Sequence, residues 1–310
     1  AMLAPPPYTT KYETEILAEE QREGYRAKKL CFNLTGYSRV NAYVLIPDGE
    51  GPFPAVVLLH DHGGHYTIGK EKMIRPFGVD KAVLDDADAW AANCYGGQYA
   101  GDYLAAHGYV VISVDALYWG ERGRKEGADG SKYADNAGNF MMLGRSLSAF
   151  MNYEDMYTTD YLATLPEVDP KRIACMGFSM GGYRAWMLSA LSDKIQVGAA
   201  ICWMTTTDCQ FSWEYGRERG GFANMLPGIR RYLDYPHIAS IACPKPMLFL
   251  NGEHDKLFPP IGVRAAFAEM HEVWESRSAG DKLVTELWDM PHDCGKKVQA
   301  KILDFLNKWL

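Results

Sequence analysis

Short apolar runs recur along this chain at 55–59, 110–114, 173–176, 199–202, 247–250 and 283–287, with amphipathic stretches between them. Each run is nearly continuous in apolar residues rather than alternating, the pattern of a strand covered on both faces. Ahead of them, 30–34 and 40–46 alternate apolar and polar positions around Gly36-Tyr37-Ser38, which predicts a β-hairpin. The polar stretch 12–27 predicts a helix.

Helical periodicity appears at 98–107, 146–164, 181–191, 261–275 and 296–310. Strands alternating with helices predict an α/β fold: a mainly parallel, doubly wound central sheet with helices on both faces, its ligand site at the carboxyl ends of the strands. The expected organisation is a partly helical N-terminal extension over 1–29 and one catalytic domain over 30–310, a length that can bury a single large core. Three connections, 61–98, 116–145 and 203–244, far exceed the usual span of roughly 2–6 residues. They are expected to roof the site as lid-forming loop insertions.

The sharpest local signal is Gly177-Phe178-Ser179-Met180-Gly181-Gly182, directly after the run 173–176 and directly before the helix 181–191. This is G-x-S-x-G in its strand-turn-helix setting. A serine on so tight a turn projects its hydroxyl out of the sheet, and glycines at the flanking positions avoid collisions with neighbouring backbone. The turn also puts the Met180 N–H at a helix N-terminus, where an unpaired donor and the helix dipole favour a developing oxyanion.

A serine nucleophile needs a base, and in the fold that carries this turn the chain order is serine, acid, histidine. Asn251-Gly252-Glu253-His254-Asp255 follows the run 247–250, and Met290-Pro291-His292-Asp293 follows the last predicted strand. Ser179 is therefore the candidate nucleophile, His292 the base and Asp255 the carboxylate that orients it, with Glu253 as rival acid. His254 and Asp293 are expected to face away.

A second oxyanion donor is expected from Leu59-His60-Asp61-His62-Gly63-Gly64-His65, where two glycines allow close backbone approach. The candidate N–H is that of His62, with Asp61 as rival; losing one such donor costs on the order of 3 kcal/mol of transition-state stabilisation. Read otherwise, His60, Asp61, His62 and His65 are candidate metal ligands. No second cluster of equal density lies downstream, so the expectation is no metal and no cofactor, with His60 a buried histidine that orients the loop.

Aromatic residues crowd the insertions, and Trp119, Trp203 and Trp213 are candidate substrate-binding residues, the alternative being internal packing of the lids. Glu121 and Arg122 suit an ion-pair network as well as a substrate clamp.

Composition narrows the partners. A formal charge of -7, with 47% hydrophobic and 23% charged residues, argues against nucleic acid. No apolar run reaches the roughly 20 residues of a membrane span. Seven cysteines lack C-x-x-C spacing, and their odd number precludes full internal pairing, so reduced thiols are expected. The expected partner is a small ester, with no nucleic acid or membrane; a homodimer is compatible with the sequence. The expected compartment is the cytoplasm, or the periplasm or exterior if a signal peptide has been removed.

Together with the nucleophile turn, His60-Asp61-His62-Gly63-Gly64, the stretch from Asp115 through Gly120-Glu121-Arg122, and 165–173 resemble the α/β-hydrolase superfamily, from about residue 30 onward. Within it the chain looks like dienelactone-hydrolase-like and acetyl-xylan-esterase-like bacterial esterases, although dienelactone hydrolases proper carry cysteine where Ser179 stands. The resemblance implies acyl-serine chemistry on a carboxylic ester, for instance an esterified carbohydrate. Other readings are a peptidase of the prolyl-oligopeptidase type, a metallohydrolase and a non-catalytic binding module.

Overall fold

Nine strands form one sheet among the residues described by the computed structural model, 4–123, 127, 129–212 and 221–310. They are β1 (Glu15–Arg22), β2 (Tyr25–Asn33), β3 (Arg39–Pro47), β4 (Phe53–Leu59), β5 (Val110–Val114), β6 (Val168–Phe178), β7 (Ile195–Ile201), β8 (Met247–Gly252) and β9 (Leu283–Trp288). Their order across the sheet is β1-β2-β3-β5-β4-β6-β7-β8-β9. The first four in that order pair antiparallel, and every pairing from β5 to β9 is parallel. The helices are α1 (Lys81–Cys94), α2 (Ala100–Ala106), α3 (Gly130–Met142), α4 (Leu147–Leu162), α5 (Met180–Leu191), α6 (Thr207–Gln210), α7 (Tyr235–Ala239), α8 (Pro260–Ser276) and α9 (Lys296–Trp309).

The apolar runs are continuous because both faces of the sheet are covered. Along β4, Val56 and Leu58 face a core shared with Leu104 of α2 and Ile302 and Leu306 of α9. Ala55, Val57 and Leu59 face the opposite core, with Tyr161 of α4 and Leu188 of α5. No helix among the described residues is long and apolar enough to cross a membrane.

The helix expected over 12–27 is instead strand. β1 and most of β2 occupy this stretch, turning at Gly24 with φ +83°, and β2 runs through residue 30 into the hairpin with β3. Glu, Ala, Gln and Leu favour a helix locally, but pairing with β2 overrides that preference. The charge that suggested a solvated helix lies on an edge strand, where Glu15, Glu19, Glu20 and Arg22 discourage further pairing.

The long insertions carry α1, α3, α6 and α7. They meet above the carboxyl ends of the strands: Tyr66 of the first packs with Tyr118, Trp119 and Tyr133 of the second and with Phe222 and Ala223 of the third. The Ala223 N–H donates to Tyr133 Oη at 2.7 Å, tying the second insertion to the third.

Candidate active site

Ser179 sits alone between β6 and α5 with φ 54° and ψ −123°, a conformation that a side chain rarely adopts. The turn is held by the Ser179 N–H donating to Ile201 O at 2.8 Å. Glycine is required around it: a Cβ on Gly177 would come within 2.1 Å of Gly181 O, and one on Gly181 within 1.7 Å of Leu59 O. The second approach presses the start of α5 against the end of β4, bringing the histidine-rich loop beside the serine. Met180 opens α5, so its N–H has no acceptor within the helix.

The candidate acid and base come from adjacent loops after β8 and β9. The Glu253 N–H donates to Trp288 O at 2.7 Å and the His254 N–H to Met290 O at 3.1 Å, stitching the loops together. Gly252 allows that approach, since a Cβ there would meet Met290 O at 2.3 Å. Asp255 is buried, and its Oδ2 lies 2.6 Å from His292 Nδ1. Its other oxygen, Oδ1, accepts the Leu257 N–H at 2.8 Å, which fixes the carboxylate's orientation. The His292 ring packs against Phe178 at 4.7 Å.

The rival acid is turned away: Glu253 is half-exposed and pairs with Arg264 at 2.5 Å. His254 pairs with Asp289 at the surface, and Asp293 accepts the Gly295 N–H at the start of α9.

In the loop after β4, each polar side chain has its own partner. Fully buried His60 accepts the Ala116 N–H at Nε2 (2.9 Å) and donates from Nδ1 to Asp61 O (2.9 Å), pinning this loop to the one after β5. Burial holds its imidazole well below the usual range, so it is neutral. Asp61 takes Tyr95 Oη at 2.7 Å and Trp90 Nε1 at 3.2 Å on one oxygen and Lys72 at 3.3 Å on the other. His65 lies 2.7 Å from Asp86 and stacks on Trp90. The four candidate ligands thus point to four different sets of partners.

His62 lines the same cavity as Ser179. Its carbonyl is anchored by Lys72 Nζ at 3.1 Å and Trp119 Nε1 at 3.3 Å, while its N–H has no protein acceptor among the described residues. The Gly64 N–H donates to His62 Nδ1 at 2.9 Å, so the ring proton resides on Nε2. Burial, reinforced by Lys72, pulls this imidazole down to about 4. An NMR titration should therefore find His62 neutral, protonated at Nε2, from pH 5 upward; a midpoint near 6.5 would contradict the buried, lysine-flanked placement.

Ser179, His62, Met180 and His292 border a cavity of about 490 Å³, together with Gly63, Gly64, Tyr66, Tyr133, Trp203, Phe222, Asn224, Leu257 and Phe258 among others. The three candidate tryptophans fare differently. Trp119 is fully buried behind His62 and makes no wall of the cavity, because its indole is used in the aromatic cluster that joins the insertions. Trp203 does border the cavity, but it is 2% exposed and packs among Tyr183, Tyr235 and Phe258. Trp213 lies outside the described residues.

Tyr133 and Asn224 escaped notice in the sequence. Tyr133 carried a usable signal, since Tyr133, Ala137 and Phe140 follow the i, i+4, i+7 spacing of a helix face. Asn224 closes a three-residue helical turn and has no such pattern.

Glu121 and Arg122 belong to ion pairs behind the site. Fully buried Lys70 contacts Glu71 at 2.7 Å, Asp115 at 2.9 Å and Glu121 at 2.6 Å, and Glu121 also meets Lys29 at 2.8 Å. Arg122 forms two bonds to Glu154, at 2.8 and 2.6 Å, and donates to Asp115 O. Burial pushes the Asp115 carboxyl up to about 6 even with Lys70 beside it. Partial burial acts the same way on Glu121, but Lys70 and Lys29 outweigh it and draw that group down to about 2.

A strained serine between strand and helix, a histidine held by a buried aspartate, and a cavity bordered by Met180 and His62 form an arrangement suited to acyl transfer. The Bacillus subtilis protein YtaP, provisionally assigned as a hydrolase, is 29% identical over 297 residues, covering 96% of this chain and 92% of its own. Among solved structures, a provisionally assigned acetyl xylan esterase of Bacteroides fragilis superposes with a TM-score of 0.74 at 19% identity, over 93% of this chain and 71% of that one. A glucuronoyl esterase from Solibacter usitatus gives 0.65 at 15% identity, over 97% and 87%. The profile of the Abhydrolase family matches residues 1–278, and this chain belongs to that family, the α/β-hydrolases.

Proposed function

We propose that this protein is a serine carboxylic-ester hydrolase that works through an acyl-enzyme. The observation that carries the reading is the 2.6 Å contact between His292 Nδ1 and the buried Asp255 carboxylate, beside a cavity that also exposes Ser179. With Nδ1–H committed to Asp255, the lone pair of Nε2 is available as a base. Ser179 Oγ adds to the ester carbonyl while His292 Nε2 takes its proton. The oxyanion is stabilised by the Met180 and His62 N–H groups, and the leaving alcohol recovers the proton from His292. Water then adds to the acyl-serine, again giving its proton to His292, and the acid departs as Ser179 regains it.

An esterified carbohydrate or another small ester is the substrate class that fits a cavity of this size with aromatic walls, and the names of the structural neighbours point the same way. Ester rather than amide cleavage is part of the proposal. The test is hydrolysis of p-nitrophenyl acetate, butyrate and octanoate with and without EDTA, together with Ser179→Ala. Turnover that resists EDTA and vanishes in the variant is expected; activity that survives Ser179→Ala would sink the serine mechanism.

A further inference from the structure

The imidazole of His62 takes no part in the proposed reaction, which uses only the backbone N–H of that residue. Gly63 and Gly64 follow it with φ +61° and +63°, left-handed values that glycine adopts without strain. The turn they make brings the Gly64 N–H back onto His62 Nδ1 at 2.9 Å. A ring nitrogen that accepts an N–H holds no proton of its own, so the neutral imidazole carries its proton on Nε2. Tyr66, Trp119 and Tyr133 pack edge-on around the ring at 5.5, 5.0 and 5.2 Å between centroids, which fixes its plane. Nε2 is left over. It has no hydrogen-bond partner among the described residues, and it is not sealed in the interior as Asn224 Oδ1 is. The cavity that His62 borders is the one that holds Ser179.

The rest of the lining decides what this donor can meet. No Asp, Glu, Lys or Arg borders the cavity among the described residues, so nothing there would offset the charge of an ionic substrate. Apart from Ser179 and His292, its polar side chains are His62, Tyr66, Tyr133 and Asn224. The two hydroxyls and the amide can each donate or accept, whereas His62 can only donate. A hydrocarbon group against Nε2 would displace water from the donor and give nothing back. The complementary group is an uncharged oxygen with a free lone pair, such as an ether, a ring oxygen or a hydroxyl.

We infer that His62 is a specificity-determining residue whose Nε2–H donates to an uncharged acceptor oxygen of the substrate a few bonds from the reacting ester group. That the oxygen belongs to a substrate rests on the ester-hydrolase reading; that the imidazole donates to such an oxygen does not. The oxygen can stand on the acid or on the alcohol side of the ester, and experiment separates the two.

Two pairs of esters of matched shape differ only in one oxygen replaced by CH₂. Methyl methoxyacetate is paired with methyl butyrate for the acid side, and 2-methoxyethyl acetate with butyl acetate for the alcohol side. In the first experiment kcat/KM is measured by acid release and divided by the rate of hydroxide hydrolysis of the same ester, which removes intrinsic reactivity. In one pair the unmodified protein should prefer the ether by about three- to tenfold, the range of a single net hydrogen bond. His62→Phe, which keeps an aromatic ring among Tyr66, Trp119 and Tyr133, should bring that ratio close to one. His62→Gln, whose amide places an N–H near the position of Nε2, should retain part of it. The ratio within each protein cancels any general damage to the loop. A ratio that is the same in the unmodified protein and in His62→Phe for both pairs overturns the assignment.

The second experiment needs no turnover and no change at His62. Ser179→Ala protein labelled with ¹⁵N at histidine is titrated with the same four esters while the His62 Nε2–H resonance is followed by NMR. A larger downfield displacement by the ether of one pair than by its hydrocarbon partner supports the donor role and names the side of the ester. It does so even if the unmodified protein hydrolyses no ester, a result that removes only the esterase reading. Ester hydrolysis in the first experiment, with no difference in displacement within either pair, overturns the donor role and leaves the esterase standing.

Discussion

Replacing Asp255 with asparagine should lower kcat by about 10⁴-fold while leaving the fold intact. Both carboxylate oxygens are committed, Oδ1 to the Leu257 N–H and Oδ2 to His292 Nδ1. An asparagine that keeps its oxygen toward Leu257 turns its NH₂ toward His292, so Nδ1 becomes the acceptor and the proton moves to Nε2. In the proposed reaction the ring then cannot take the Ser179 proton. The flipped rotamer restores the bond to His292 but sets NH₂ against the Leu257 N–H, two donors facing each other in a buried place. Either way a bond is lost. Glu253→Gln, on the half-exposed neighbour paired with Arg264, should change kcat less than threefold. Steady-state kinetics with one activated ester, alongside circular dichroism, decides between the two acids: a severe loss in Glu253→Gln with a mild one in Asp255→Asn would reverse the assignment.

Lys70→Met should destabilise the protein by about 3–5 kcal/mol, because it strands Asp115 and Glu71 in the interior without their cation. Glu121 is partly exposed and keeps Lys29, so it adds little. For a chain of this size the loss corresponds to a fall in Tm of roughly 5–8 °C. Its pH dependence has a definite sign. Burial drives the Lys70 ammonium toward neutrality, but Asp115, Glu71 and Glu121 overcome this and raise its pKa, so its stabilisation is present throughout the neutral range. Asp115 has the same sign in a lower window: a carboxyl whose folded pKa is raised, here to about 6, loses stability as pH rises from the ordinary carboxylate range through that value. Removing Lys70 raises it further, so the deficit of the variant should be smallest near pH 5 and grow toward pH 8. Thermal unfolding of both proteins at the two pH values tests this, and an equal deficit at both would show that the carboxylates do not depend on Lys70. Asp115 and Lys70 lie next to the loops after β4 and β5, so the variant should also blur the placement of His60 and His62, read as a lower kcat/KM at temperatures well below unfolding.

The site is legible in the sequence where its function depends on local geometry, and hidden where it depends on packing between distant segments. Ser179 could be located because the turn that presents it demands glycines at 177 and 181, whose absent side chains would meet backbone at 2.1 and 1.7 Å. Asp255 and His292 stand out as candidates from chain order and from their positions just after strands. Residue type alone did not separate Asp255 from Glu253; that required seeing which carboxylate is buried against the imidazole and which is at the surface with Arg264. Trp119 shows the limit from the other side, since an aromatic residue in a lid reads equally well as a wall or as filling. Three insertions need an apolar centre of their own to stay ordered over the strands, and Trp119 supplies it.

By itself the sequence determined the α/β architecture, the serine turn and the parallel strand runs, because each follows from contacts within a few residues or from a side-chain period. Only the tertiary structure decided that 15–22 is an edge strand and not a helix, since its partner β2 outweighs the helical preference of its residues. Only it decided that His62, in the cavity it shares with Ser179, carries its ring proton on Nε2 because Nδ1 accepts the Gly64 N–H, and that Thr207, Gln210 and Asn224 border one cavity. Those facts depend on which distant groups meet in the interior, where burial and pairing set protonation and orientation, and a linear pattern of residue types does not encode them.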